Sequence, residues 1–349
     1  MNDALWMREA ISEGQKGRIN APPNPWVGCV IVKNDQIVGK GFHPECGQPH
    51  AEVFALNDAG EKAKGATAYV TLEPCSHTGR TPPCVNALIN AEVSRVVIGV
   101  EDPDEKVSGK GIAALKEAGI KVVVGVEREK VEKDLEPYLF HRRFGRPFVI
   151  GKTALSIDGR AAASDGSSQW ISCQEARKDA HRLRAESQAV LIGSGTAVKD
   201  SPRLTVRDVD EIPKTMPLRV LLDRSGIVPH DSPLFQLELA PTLVFSNSKD
   251  YPTGVEVVSE TDLKNILENL GKRGVLQILI EGGPTVLSDC IEKGIVNRLI
   301  VYTGSKVLGE KGSAGFKMPH VQSIDQAIEM RLEEVAKIGN SVRSIYSLS

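Results

Sequence analysis

Residues 50–75 read HAEVFALNDAGEKAKGATAYVTLEPC, and this run decides the fold of the first half. HAEVFALNDAG predicts a short helix closed by Gly60, and ATAYVTLEP predicts the strand that follows it. Upstream, VGCVIV and QIVGKGFH are β-rich runs separated by KND, the pattern of a hairpin. Before them Asp3 to Gly14 reads as a helix, with Leu5, Met7 and Ile11 apolar and Asn2 or Asp3 available as a cap, followed by the turn-rich NAPPNPWVG. Downstream, CVNALINA, RVVIGV, GIAALKEAG and IKVVVGV alternate helix with strand, which implies an α/β layered domain with a partly parallel sheet. EREKVEKDLEPYLFHRRFGRP shows neither strand alternation nor a β-rich run and ends in a Gly-Arg-Pro stop. The domain boundary is therefore placed near Gly145, giving domains 1–145 and 146–349.

The second half restarts with FVIGKTALSIDGRAA and a helix over CQEARKDAHRLRAES. AVLIGSGTAV, LRVLLDR and PTLVFSN then read as strands, DLKNILENLGKRG as a helix, QILIEGG as a strand, VLSDCIEKG as a helix and NRLIVYTG as a strand. This half is α/β as well, and the two halves are not copies of each other. At 349 residues and 41% hydrophobic content, the chain has the length for two domains and the apolar material for a core in each. A formal charge of -2 leaves no positive field to hold a long phosphate backbone, so nucleic acid is not expected as a partner. No window is apolar over the length a membrane span needs, and MNDALWMREAISEG places acids where a signal peptide carries bases, so a cytoplasmic location is expected. Six cysteines are too sparse for a disulfide framework, which leaves metal binding or packing as their use.

The sharpest chemical signal is His50-Ala51-Glu52 at a helix start, then Pro74-Cys75 at a strand end and Cys84 at the next helix start. Three soft or borderline ligands with a fourth position left to water is the donor count of a catalytic zinc site. A helix N-terminus favours the thiolate of a cysteine placed there, so Cys84, and Cys75 too if it lies close to a helix start, is expected to ionise readily. Glu52, two residues beyond His50, is placed to act as general acid/base on a zinc-activated water. Those are the parts that hydrolytic deamination of a heterocyclic amidine carbon requires. The spacing departs from the deaminase P-C-x-x-C signature, because eight residues, Ser76 to Pro83, separate the cysteines. His43 and His77 read as substrate contacts or loop residues, and Cys29 as core.

HAEVFAL, TLEPCSHTGRTPPC and PNPWVGCVIV together closely resemble the deaminase domain of the RibD/RibG family, the bifunctional deaminase-reductases of riboflavin biosynthesis. GKTALSIDGRAAASDGSSQWIS, LIGSGTAVKDSPRLTVR and ILIEGGPTVL resemble that family's reductase domain. The resemblance covers nearly the whole chain and absorbs the long cysteine spacing as the family's own pattern. It implies a cytidine-deaminase-like layered domain followed by a dihydrofolate-reductase-like α/β domain. The implied substrate is 2,5-diamino-6-(5-phosphoribosylamino)pyrimidin-4(3H)-one, deaminated at ring C2 and then reduced by NADPH from ribosyl to ribityl. By residue matching, His50, Cys75 and Cys84 would hold one zinc ion per chain and Glu52 would shuttle protons. Asn24 and His43 would lie in the pyrimidine pocket, with Arg80 meeting substrate or its phosphate. In the reductase, Ala154, Trp170, Thr196, Asp200 and the segment Gly283, Pro284, Thr285, Val286, Leu287, Ser288, Asp289 would contact NADPH. Ser168, Arg184, Leu204, Arg207 and Glu281 would contact substrate, and the resemblance makes a homo-oligomer the expected state.

Read without the family, the second half is less decisive. Gly193-Ser194-Gly195-Thr196 lacks the third glycine of a dinucleotide fingerprint and does not clearly open a helix. Glu281-Gly282-Gly283-Pro284-Thr285 precedes a helix whose amides could meet a pyrophosphate. Arg184 and Arg207 suit a phosphate ester through their guanidinium forks. Lys152, Asp200 and Glu281 are the ionisable candidates for assisting hydride delivery, and Arg224 or Ser225 for a 2′-phosphate contact. Two rival readings stand beside this one: a cytosine or tRNA-adenosine deaminase with an accessory domain, and a zinc and nucleotide sensor without turnover. The balanced charge and 5% aromatic content weigh against the first, and the presence of Glu52 against the second.

Overall fold

The computed structural model describes residues 2–76, 82–105 and 107–348. The chain divides into two compact units, Met1–Gly145 and Arg146–Ser349. The first unit contains α1 (Asp3–Gly14), β1 (Gly28–Lys33), β2 (Gln36–Phe42), α2 (Ala51–Ala59), β3 (Thr67–Leu72), α3 (Cys84–Asn90), β4 (Arg95–Val100), α4 (Lys110–Glu117), β5 (Lys121–Val124), α5 (Arg128–Asp134) and α6 (Glu136–Phe144). Its five-stranded sheet runs in the order β2-β1-β3-β4-β5. The β1 strand is antiparallel to both neighbours, while β3, β4 and β5 are mutually parallel. The β1–β2 hairpin turns at Asn34 and Asp35, both with positive φ, the pairing that matches the twist of the flanking strands. All six residues of β3 are buried, Thr67 and Thr71 among them, so both faces of this central strand lie in the interior.

Close packing then places the ligand-bearing helix. A side chain at Gly41 would put its Cβ 2.4 Å from the Ala51 carbonyl oxygen, so the first turn of α2 lies directly on the β2 backbone. Gly60 ends α2 at φ 52°. The segment in which no element was expected forms α5 and α6. Val131, Leu135, Tyr138 and Leu139 recur at helical spacing and are all buried, a periodicity that the surrounding charges obscure.

The second unit contains β6 (Phe148–Leu155), β7 (Arg160–Ala162), α7 (Gln174–Ala185), β8 (Ala189–Gly193), α8 (Ser194–Asp200), β9 (Leu218–Leu222), β10 (Thr242–Phe245), β11 (Glu256–Val258), α9 (Leu263–Lys272), β12 (Gln277–Ile280), α10 (Pro284–Glu292), β13 (Arg298–Gly304), β14 (Ser313–Ala314), β15 (Met330–Ile338) and β16 (Ser341–Leu348). Its nine-stranded sheet has the order β11-β10-β9-β8-β12-β6-β13-β16-β15. The strands are parallel from β11 to β13, and the β15–β16 hairpin adds two antiparallel strands to that edge. The hairpin is absent from the sequence reading. β15 is mostly exposed and mixes Arg331, Glu333, Glu334 and Lys337 with its apolar residues, so it shows no clean buried face. A second correction concerns residues 193–196, where Gly193 is the N-cap of α8 and the Gly-Ser-Gly-Thr run does open a helix. Among the described residues no helix is long and apolar enough to cross a membrane.

Candidate functional site

In the first unit the three expected ligands come from three elements. His50 is the N-cap of α2, Cys75 follows β3 and Cys84 is the first residue of α3. Their donor atoms lie within 4.8 Å of one another. His50 Nδ1 is 3.1 Å from Cys84 Sγ and 3.5 Å from Cys75 Sγ. The backbone N–H of Cys84 donates to Cys75 Sγ at 3.4 Å. The helix-start amide therefore serves the neighbouring sulfur of Cys75. Bonding from the Cys84 thiol pulls Cys75 well below the usual thiol range, with the His50 bond adding to it. The same bond and burial push Cys84 up. His50 is raised by its bond to Cys75. One imidazole and two sulfurs converging in this way fit a borderline-soft divalent ion such as zinc.

Glu52, in the first turn of α2, is 3% exposed, and burial raises its carboxyl above the usual range. It lines a cavity of about 430 Å³ together with His50, Cys75, Asn24 and His43. His43 Nδ1 lies 3.1 Å from the Pro49 carbonyl and must donate to it, so Nε2 accepts from the Asn24 amide at 3.0 Å. Burial lowers the His43 pKa in keeping with this neutral ring. Arg80 and His77 lie outside the described residues. Asp102, Asp104, Tyr138 and Arg142 also line the cavity, and the sequence reading passed over them. The available signal was the acid pair directly after β4, at the same sheet edge as Cys75 after β3. Tyr138 donates to the Asp102 carboxylate at 3.1 Å, and burial raises Asp102 to about 6.

In the second unit a cavity of about 880 Å³ opens where β8 and β12 end, beside β6. Parallel sheets characteristically bind ligands at such strand ends. Lys152, Ala154, Ser168, Trp170, Arg184, Thr196, Asp200, Leu204, Arg207, Glu281 and Gly283 to Val286 all line it. The two glycine-rich turns are tied together, because the Gly283 N–H donates to Thr196 Oγ1 at 2.8 Å. A Cβ at Gly193 would meet Val286 Cγ2 at 2.7 Å, so a side chain there would drive the turns apart, whereas one at Gly195 would meet nothing within 4 Å. The result is a cradle with open backbone, which fits a dinucleotide pyrophosphate.

Three expected contacts face elsewhere. Leu287 belongs to the core, Ser288 Oγ accepts the Lys317 N–H at 2.8 Å, and Asp289 pairs with Lys293. The helical period turns these positions away from the cavity, so the Gly283–Asp289 expectation narrows to Gly283–Val286. Arg224 and Ser225, beyond β9, do not line the cavity either. Arg184 is likewise committed: Nε and Nη2 donate to the two Glu281 oxygens at 2.7 and 3.1 Å, and Nη1 donates to the Thr205 carbonyl. Its fork is spent on protein, which leaves the exposed Arg207 as the expected phosphate group with a guanidinium open to solvent. Burial works to raise Glu281, but Arg184 and Lys152, the latter 3.7 Å away, hold it down at about 2. The Arg177 guanidinium, 4.4 Å from the Trp170 ring, also lines the cavity, and no spacing in the sequence marked it.

Comparison with known proteins finds two family models. Residues 1–100 match the cytidine and deoxycytidylate deaminase zinc-binding region. Residues 147–343 match the RibD C-terminal domain. The riboflavin biosynthesis protein RibD of Chlamydia pneumoniae is 42% identical over 99% of this chain and 95% of its own length. That of Escherichia coli is 39% identical, with 98% of each chain covered. Among solved structures, Acinetobacter baumannii RibD superposes with a TM-score of 0.93 at 39% identity, covering 99% of both chains. A Thermotoga maritima diaminohydroxyphosphoribosylaminopyrimidine deaminase/5-amino-6-(5-phosphoribosylamino)uracil reductase gives 0.92 at 35% identity, with 99% of both chains covered.

Proposed function

The chain belongs to the RibD family, the bifunctional deaminase-reductases of riboflavin biosynthesis, and on that premise we propose how its residues divide the two reactions. Residues 1–145 deaminate the diaminopyrimidine ribosyl phosphate at ring C2, and residues 146–349 reduce the deaminated product with NADPH. The observation that carries this reading is the convergence of His50, Cys75 and Cys84 beside the buried Glu52 in one cavity. The two cavities are sized for small molecules, and the substrate is one. Charge balance argues against a nucleic-acid partner. The reactions are placed in the cytoplasm, and a homo-oligomer is the expected assembly.

His50, Cys75 and Cys84 would hold zinc, which supplies a Lewis acid that brings the pKa of water to about 7. Glu52 does the proton work. Its carboxylate takes a proton from the water that adds to C2 and passes it to the exocyclic nitrogen, so that the C–N bond breaks with ammonia as leaving group. A carboxyl raised by burial is better matched to both halves of that transfer than an exposed one. Asn24 and the neutral His43 present the hydrogen-bonding edge against which the pyrimidine orients.

In the reductase, the turns at Gly193–Thr196 and Gly283–Val286 would seat NADPH, which supplies the hydride for C1 of the opened sugar. Glu281 is fixed as a carboxylate by Arg184 and so is no proton donor near neutral pH. Lys152, beside it and lining the cavity, is the group that steadies the sugar oxygen as the ring opens. Ser168, Leu204 and Arg207 complete the substrate wall, with Arg207 on the phosphate. The test pairs elemental analysis with a coupled assay. The purified chain should carry one zinc, release ammonia from the diaminopyrimidine phosphate and consume NADPH. In Glu52→Gln the zinc should remain and ammonia release should cease; deamination at the parent rate would remove Glu52 from its assigned role.

A further inference from the structure

Glu73, between β3 and the Pro74-Cys75 turn, is 3% exposed, lines the deaminase cavity and has no part in the chemistry above. Its own N–H is bonded to the Val100 carbonyl at the end of β4. Its carboxylate accepts four backbone amides from the far side of the cavity wall. Oε2 takes Gly109 at 3.0 Å and Asp102 at 3.4 Å, and Oε1 takes Gly111 at 2.9 Å and Ile112 at 3.1 Å. Three of these belong to the start of α4, where Gly109 is the N-cap and has no side chain to offer. The cap therefore comes from the residue two positions before a zinc ligand. The approach is tight enough to require glycine, since a Cβ at Gly111 would lie 2.0 Å from the Pro74 oxygen.

We infer that Glu73 is a positioning residue for the deamination: it locks the Asp102 wall and the start of α4 to the turn that carries Cys75, setting the width of the pyrimidine pocket. The inference rests on the assignment of that cavity as the deaminase site. Loss of the lock frees the wall without removing a zinc donor, so substrate binding suffers while the chemistry at the donors persists.

The experiment uses the full zinc-loaded chain. In Glu73→Gln, one oxygen becomes an amide donor facing backbone N–H groups, so the KM for the diaminopyrimidine phosphate should rise about tenfold with kcat within about twofold of the parent. Zinc should stay at one per chain, NADPH-dependent reduction of the deaminated substrate should be unchanged, and the Gly109, Gly111 and Ile112 amides should exchange faster. Glu73→Asp, with the charge kept on a shorter arm, should fall between the two. It decides alone if the glutamine variant does not fold, and a parental KM in it then overturns the inference. An active parent with unchanged KM in Glu73→Gln overturns the inference alone, as does zinc loss with kcat falling at constant KM. A parent that releases no ammonia overturns the functional reading and takes this inference with it.

Discussion

His181, on α7, shows how much one ring can carry in this protein. It is 7% exposed, it accepts the Arg207 N–H at 3.4 Å, and burial together with the Arg184 and Arg207 charges lowers it to about 4. An unfolded histidine titrates near 6.5, so folding favours the neutral ring. The stability this gives is complete above about pH 6.5 and is lost as pH falls toward 4, amounting to about 3 kcal/mol over the window. In His181→Gln the second unit should lose that acid sensitivity, measured as amide exchange along α7 at pH 4.5 and 7. Arg207 gives the complementary prediction. Because its guanidinium is exposed at the cavity while that of Arg184 is already bonded, Arg207→Ala should raise the KM of the reduction about tenfold and leave deamination unchanged, as steady-state kinetics of each half would show. His50, Glu52, Cys75 and Cys84 could be read from the sequence because their types and order specify one chemistry. Asp102 carried only the weak signal of an acid just past a parallel strand, and Arg142 and Arg177 carried none, since nothing in their own neighbourhood tells which cavity they will line.

At the scale of elements, buried strands such as β3 and β4 were legible because β-branched and aromatic residues dominate them, and a substitution inside them should be costly. Ile98→Ala in β4, fully buried, should destabilise the first unit by about 2–5 kcal/mol in denaturant titration. The helices α5 and α6 were hidden by their charges, and the β15–β16 hairpin by a strand that keeps most of its side chains in water. The start of α8 was hidden for another reason: glycines signal a turn locally, and here Gly193 is the N-cap of a seven-residue helix packed closely against Val286. Gly193→Ala should therefore push α10 aside and raise the KM for NADPH. Gly193→Ala with Val286→Ala should recover part of the loss, measured by NADPH titration.

For the whole molecule, the two cavities have separate residues and separate chemistry. Chelation should abolish ammonia release while NADPH-dependent reduction of the deaminated substrate continues at the parent rate; a parallel loss of both would show that the metal supports the reductase as well. The division into α/β halves could be read from alternating strands and helices. The order of strands in the nine-stranded sheet could not, because pairings between distant segments leave no trace in local periodicity.

The candidate donors at positions 50, 75 and 84 come from three separate elements within 35 residues of chain. An ion held there would cross-link the start of α2, the turn after β3 and the start of α3, so its removal should loosen these three junctions, read as faster amide exchange, as well as halt the chemistry.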